Sequence, residues 1–172
     1  YDREYNQDLT VALLREEYKE WLDAKMPTDK LDALCDIVFV CYGAIWKLNV
    51  ENNALVAASN DSHMQMSALL SLDIVWPMYL TAAHLDVLEY DSDYPVLNSL
   101  HDVACVALTE MLGMGLTQEQ CTEALRIVCD SNESKSIQKV EAAIKANISK
   151  GPYFIPPEPR LTRLLEACNG YN

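Results

Sequence analysis

The chain is poor in glycine, with five in 172 residues, and it has no stretch in which apolar and polar residues alternate over several positions. A fold built from β-hairpins is therefore not expected. There is no run of about 18 apolar residues that could span a bilayer, and no stretch reads as a signal peptide. The six cysteines (Cys35, Cys41, Cys105, Cys121, Cys129, Cys168) include no Cys-x-x-Cys. Most lie in apolar stretches and read as small core residues, which fits a reducing cytoplasm. Cations are scarce: 13 Lys and Arg face 26 Asp and Glu, for a net charge of -13. That balance argues against nucleic acid and an anionic membrane surface as partners. A nucleotide stays admissible when metal ions carry the positive charge.

What is present is apolar residue in quantity, 50% of the chain, enough for one folded domain over 1–172 with a real core. Long segments of 3.6-residue period make the chain all-α, with helices expected at 8–25, 29–48, 51–66, 68–90, 96–113, 118–135 and 137–147. Pro77 is expected to kink the fourth, and Asp91-Ser92-Asp93-Tyr94-Pro95 to end it. The whole is a helical bundle of about six to eight helices. The chain opens on Tyr1, not Met, which leaves room for residues upstream.

Two clusters of carboxylates organise the first third of the chain. In 8–25, Leu14, Tyr18, Trp21 and Leu22 mark an apolar face, with Glu16, Glu17 and Glu20 beside it at helical spacing. Lys25-Met26-Pro27-Thr28-Asp29 then breaks and restarts the helix, with Thr28 or Asp29 as N-cap. In the second helix Asp29, Asp32 and Asp36 are spaced i, i+3, i+7 on one stripe that continues to Val40 and Gly43. After Asp36 no charge occurs until Lys47, so this helix is expected to be buried on most sides. A carboxylate set there costs several kcal/mol unless a cation or hydrogen bonds offset it. Two antiparallel helices presenting these acids to each other offer hard oxygen donors, which suit Mg²⁺ or Mn²⁺ and neither zinc nor haem. Acid runs on helices are more often solvated faces, a reading that fits Glu16, Glu17 and Glu20 better than Asp36. Trp21, Trp46 and Trp76 lie on apolar faces and read as core.

The sequence also repeats itself. The segment from Asp32 to Val50 aligns without a gap on that from Asn98 to Leu116, with Asp36 over Asp102. Further on, Ser59-Asn60-Asp61-Ser62-His63 lies over Ser131-Asn132-Glu133-Ser134-Lys135. The expected organisation is an internally duplicated pseudo-dimer in one chain, with copy one at about 8–66, a degenerate copy two at about 79–137 and a C-terminal tail over 138–172. Copy two has lost most of the acids, and Asp102 reads as a relic held by a structural hydrogen bond, with a remnant second metal site as the alternative. The tail carries Lys150-Gly151-Pro152-Tyr153-Phe154, then Pro156-Pro157, too aromatic for a solvated linker and therefore expected to pack over the bundle or the site.

Taken in order, Glu16-Glu17-x-x-Glu20, Asp32-Ala33-Leu34-x-Asp36, Val40-x-Tyr42-Gly43, Ser131-Asn132-x-Ser134-Lys135 and Lys150-Gly151-Pro152-Tyr153-Phe154-x-Pro156-Pro157 resemble the all-α NTP pyrophosphohydrolase superfamily. That group holds MazG, the dimeric dUTPases and phosphoribosyl-ATP pyrophosphohydrolase, and the resemblance is nearest to its phage-type, phosphoribosyl-ATP-pyrophosphohydrolase-like members. The resemblance implies an enzyme that uses Mg²⁺, with Mn²⁺ as an alternative, to cleave a nucleoside triphosphate to the monophosphate and pyrophosphate in nucleotide-pool control. It implies Glu16, Glu17, Glu20, Asp32 and Asp36 as metal ligands, with Glu17 and Glu20 catalytic. Asn132, Lys135, Lys150 and Tyr153 would bind the substrate. A monomeric pseudo-dimer or a homodimer in the cytoplasm, or in the host cytoplasm for a phage protein, is expected. The chain departs from the family pattern at Ala33, where an acid is common, at Glu133, and over Ser136 to Ser149, which has no Gly-rich turn. The alternative is a catalytically impaired relative that binds a nucleotide or a partner protein without turnover.

Overall fold

The computed structural model describes residues 4–52, 96–138, 147–149 and 151–169. In chain order these form α1 (Gln7–Asp23), α2 (Pro27–Asn52), α3 (Val96–Gly113), α4 (Gln118–Ser134), the strands β1 (Ser136–Gln138) and β2 (Asn147–Ser149), and α5 (Glu158–Asn169). The all-α helical bundle expected from the sequence is what forms, with five helices among the described residues. The helices expected at 51–66 and 68–90, with Pro77, lie outside the described residues except for the last turn of α2.

Local chemistry explains where the helices start. Asn6 caps α1, its Oδ1 accepting the Leu9 N–H at 2.9 Å. Thr117 opens α4 with a capping box: its hydroxyl accepts the Gln120 N–H at 3.2 Å, and the Gln120 side chain accepts the Thr117 N–H at 2.8 Å. Helix α2 corrects the expected cap at Thr28 or Asp29, because Pro27 is its first residue. Proline is preorganised for that position and lacks the N–H that would go unbonded there. Between α3 and α4 the chain turns through Gly115 at φ +92°, a conformation that a side chain would strain.

Helix α2 is the axis of the bundle, with α1, α3, α4 and α5 all packed on it. Leu31, Leu34 and Ile37 are fully buried, joined by Leu14 of α1, Leu100 and Met111 of α3, Val128 of α4 and Leu161 of α5. Burying each such side chain stabilises by about 1.5–3 kcal/mol, and this seals the four helices around α2. The expectation that α2 is enclosed on most sides holds for that face only. Phe39, Tyr42 and Trp46, at i, i+3, i+7, stay exposed, Trp46 to 56%, so Trp46 is not the core residue it was expected to be. On that side α3 meets Tyr42 through the His101 ring, edge to face, and leaves Trp46 open. Trp21 does pack partly into the core, stacked on Tyr18 with Lys30 over its ring.

The segment expected to be helical over 137–147 begins and ends in extended backbone. β1 and β2 pair antiparallel with Ile137 opposite Ile148, and β-branched residues favour that conformation over helix. All six cysteines are free, four of them buried, as the core reading required. No helix among the described residues is long and apolar enough to cross a membrane.

Candidate active site

Helical phase places the acids. Leu14 faces the core with no exposed surface, so Glu17, nearly one turn on, is drawn in and half-buried, while Glu16 and Glu20 stay exposed on the shoulders of α1. In α2 the buried Leu31, Leu34, Cys35 and Val38 set the inward face. Asp32 and Asp36 lie at its edge, each half-buried, and Asp29 is exposed and points away. The expected acidic stripe thus begins at Asp32, one step later than its spacing suggested.

Helix α4 completes the group from the far end of the chain. Its buried positions Cys121, Ala124, Ile127, Val128 and Ser131 recur at i, i+3, i+6, i+7 and i+10, and this stripe delivers Asn132 to the α2 acids. Asn132 Nδ2 donates to Asp36 Oδ1 at 2.7 Å. Lys135 Nζ donates to Asn132 Oδ1 at 2.6 Å. Both ends of the amide are engaged, so the cation, the amide and the carboxylate form one directed chain.

The electrostatics are those of carboxylates crowded around too little positive charge. Burial, then the charges of Asp36, Glu20 and Glu16, push Glu17 up to about 8. Burial, then Asp36 and Glu158, push Asp32 up to about 7. Asp36 is raised by burial against the opposing effect of the Asn132 hydrogen bond and Lys135. Lys135 opposes the rise at all three. Asp32 Oδ1 is buried and accepts no hydrogen bond among the described residues.

Of the other expected site residues, Lys150 lies outside the described residues. Tyr153 is 87% exposed and is not brought to the acids. Its segment is nevertheless tied to the site: the Ile155 N–H donates to Ser134 Oγ at 2.9 Å, and Ser134 Oγ in turn donates to the Ser131 carbonyl at 2.6 Å. The strap 151–157 therefore crosses the C-terminal end of α4 and leads into α5. There it brings in Glu158, a carboxylate the sequence reading overlooked. The available signal was the run Pro156-Pro157-Glu158-Pro159, with its acid at the start of a helix.

The donor set fits a hard divalent cation: several carboxylates from two or three helices, raised by burial and by one another, with a buried oxygen that has no hydrogen-bond partner among the described residues. As the side chains stand, no three His, Cys, Asp or Glu among the described residues are gathered closely enough to hold an ion. Glu17, Asp32 and Asp36 would hold it, with Glu16 and Glu20 able to reach in from the exposed side of α1.

Residues 1–63 match the model of the phosphoribosyl-ATP pyrophosphohydrolase family. This stretch contains α1, α2 and every acid of the two clusters, and stops before Asn132, Lys135 and the strap. The family is part of the all-α MazG-like NTP pyrophosphohydrolase superfamily, so the resemblance carried by Glu16-Glu17-x-x-Glu20 and Asp32 to Asp36 stands. It supports a pyrophosphohydrolase of that superfamily. No significant similarity to a curated protein or to a solved structure is found.

Proposed function

We propose that the chain is a Mg²⁺-dependent nucleoside triphosphate pyrophosphohydrolase, converting a (d)NTP and water to the (d)NMP and diphosphate in nucleotide-pool control. The observation that carries this reading is the Asn132–Asp36 hydrogen bond with Lys135 behind it, which joins a polar, cationic motif to a carboxylate cluster short of positive charge. A triphosphate brings about four negative charges, so such a cluster could receive it only with divalent ions between. The bound metal would supply charge neutralisation and a more acidic water.

The chain's own residues divide the remaining work. Glu17, Asp32 and Asp36 would hold the cation once drawn together around it, with Glu16 and Glu20 at the rim. One of Glu17 and Glu20 orients the attacking water and takes its proton as the new O–P bond forms at the α-phosphorus. The bond from the α-phosphorus to the bridging oxygen breaks, and diphosphate leaves with that electron pair. Lys135, held by Asn132, and Lys150 offer point charges to the leaving group. Tyr153, standing clear of the acids, would reach a bound nucleotide only from the exposed side of the strap. The duplication belongs to this reading: copy one supplies the acids and copy two supplies Asn132 and Lys135, so one chain holds a whole site.

Diphosphate release across the canonical NTPs and dNTPs, with dUTP and phosphoribosyl-ATP added, tests it. Release that needs Mg²⁺ and vanishes in the Glu17→Gln, Glu20→Gln double variant is the expected result. Nucleotide binding without turnover, indifferent to that double variant, would favour the impaired relative.

A further inference from the structure

We propose that Glu158, the first residue of α5, is a cation-facing carboxylate of this site, set beside Asp32 by the docking of the C-terminal helix. This rests on the metal-dependent reading above and extends it to an element beyond the matched family segment.

The placement follows from contacts between α2 and α5. Thr28 Oγ1 and Thr162 Oγ1 lie 3.3 Å apart. One turn forward from Thr28 along α2 is Asp32, and one turn back from Thr162 along α5 is Glu158. The start of α5 is held firmly enough for that register to matter. Pro157 is buried, and its carbonyl accepts the Arg160 and Leu161 N–H groups at 3.0 Å. Leu161 is fully buried. Arg160 donates to Asp130 of α4 at 2.8 Å, and the strap before Glu158 is pinned by the Ile155–Ser134 bond. Glu158 is exposed at the rim, one turn from the Thr28–Thr162 contact on the side of Asp32, whose Oδ1 is buried with no hydrogen-bond partner among the described residues.

An acid in the first turn of a helix is favoured by the helix dipole alone. That role asks nothing of Asp32. Two ionised carboxylates facing each other from separate helices repel, and above the pH at which a proton relieves them a cation between them turns the juxtaposition into a gain. The two roles therefore differ in sign: a dipole partner stabilises the metal-free protein, whereas a cation-facing acid weakens it and strengthens metal binding.

The test is Mg²⁺ titration of the full chain, followed by calorimetry and by melting temperature, for the parent, Glu158→Gln, Glu158→Asp and Glu166→Gln. Glu166 is an exposed acid farther along α5 and controls for net charge. Glu158→Gln is expected to weaken Mg²⁺ binding about tenfold while leaving the metal-free melting temperature unchanged or higher. Glu158→Asp should recover part of the affinity, and Glu166→Gln should bind like the parent. Glu158→Gln binding Mg²⁺ as the parent does, or losing no more than Glu166→Gln loses, overturns the role of Glu158 and leaves the proposed activity standing. A parent that binds no Mg²⁺ by either measurement overturns both.

Discussion

Asn132 donates to Asp36 across 96 positions of sequence, at 2.7 Å. A charge-assisted hydrogen bond at a half-buried carboxylate contributes more than an ordinary one, and its loss leaves the acid short of its donor. Asn132→Ala is therefore expected to destabilise the protein by about 1.5–3 kcal/mol in urea unfolding. It also frees Lys135 and should lower turnover by at least about tenfold. Unchanged stability would mean that the bond does not persist in solution.

The raised acids give the metal-free protein a distinctive pH dependence. Glu17 rises from its ordinary 4.5 to about 8, and Asp32 from 3.8 to about 7. Between the ordinary and the raised values the folded state binds more protons than the unfolded state, so stability must fall as pH rises. The contribution is complete below about pH 4 and is lost through pH 7 to 8. Thermal melts in chelator from pH 5 to 8.5 should show this decline, and Glu17→Gln should flatten it.

Saturating Mg²⁺ should reverse the decline at pH 8, because an ion that binds only the folded state stabilises by mass action, about 2.7 kcal/mol at a hundred times its Kd. Equal melting curves with Mg²⁺ and with chelator at pH 8 would rule out a cation site.

Lys135 opposes the raised values of Glu17, Asp32 and Asp36 at once. Lys135→Met should steepen the metal-free pH dependence and reduce turnover more than binding, since its charge matters most as diphosphate departs. A rise in KM at constant kcat would instead assign Lys135 to ground-state binding.

Leu34 lies between Asp32 and Asp36 with no exposed surface. Leu34→Ala should cost about 2–5 kcal/mol in urea unfolding. Thr117→Ala, which removes only the cap of α4, should cost about 1 kcal/mol. The order of the two separates core packing from helix capping.

Much of this was readable in the sequence because it is local. The 3.6-residue recurrence of Leu14, Tyr18 and Trp21, the apolar run after Asp36 and the spacing in α4 marked α1 to α4 within a few residues. Residue type alone identified the acids as hard donors. Where the sequence misled, a nonlocal or finely balanced effect intervened: Pro27 and not Thr28 opens α2, and Ile137 and Ile148 pair in strands. Trp46 stays exposed although α3 reaches Tyr42, one turn before it, through His101. Tertiary structure alone decided that Asp36 meets Asn132, that Asp29 stays exposed and that Tyr153 stands clear. Periodicity states which side of its own helix a residue occupies. Which other helix faces that side depends on packing every apolar stripe into one core, and that choice fixed the partners of each carboxylate.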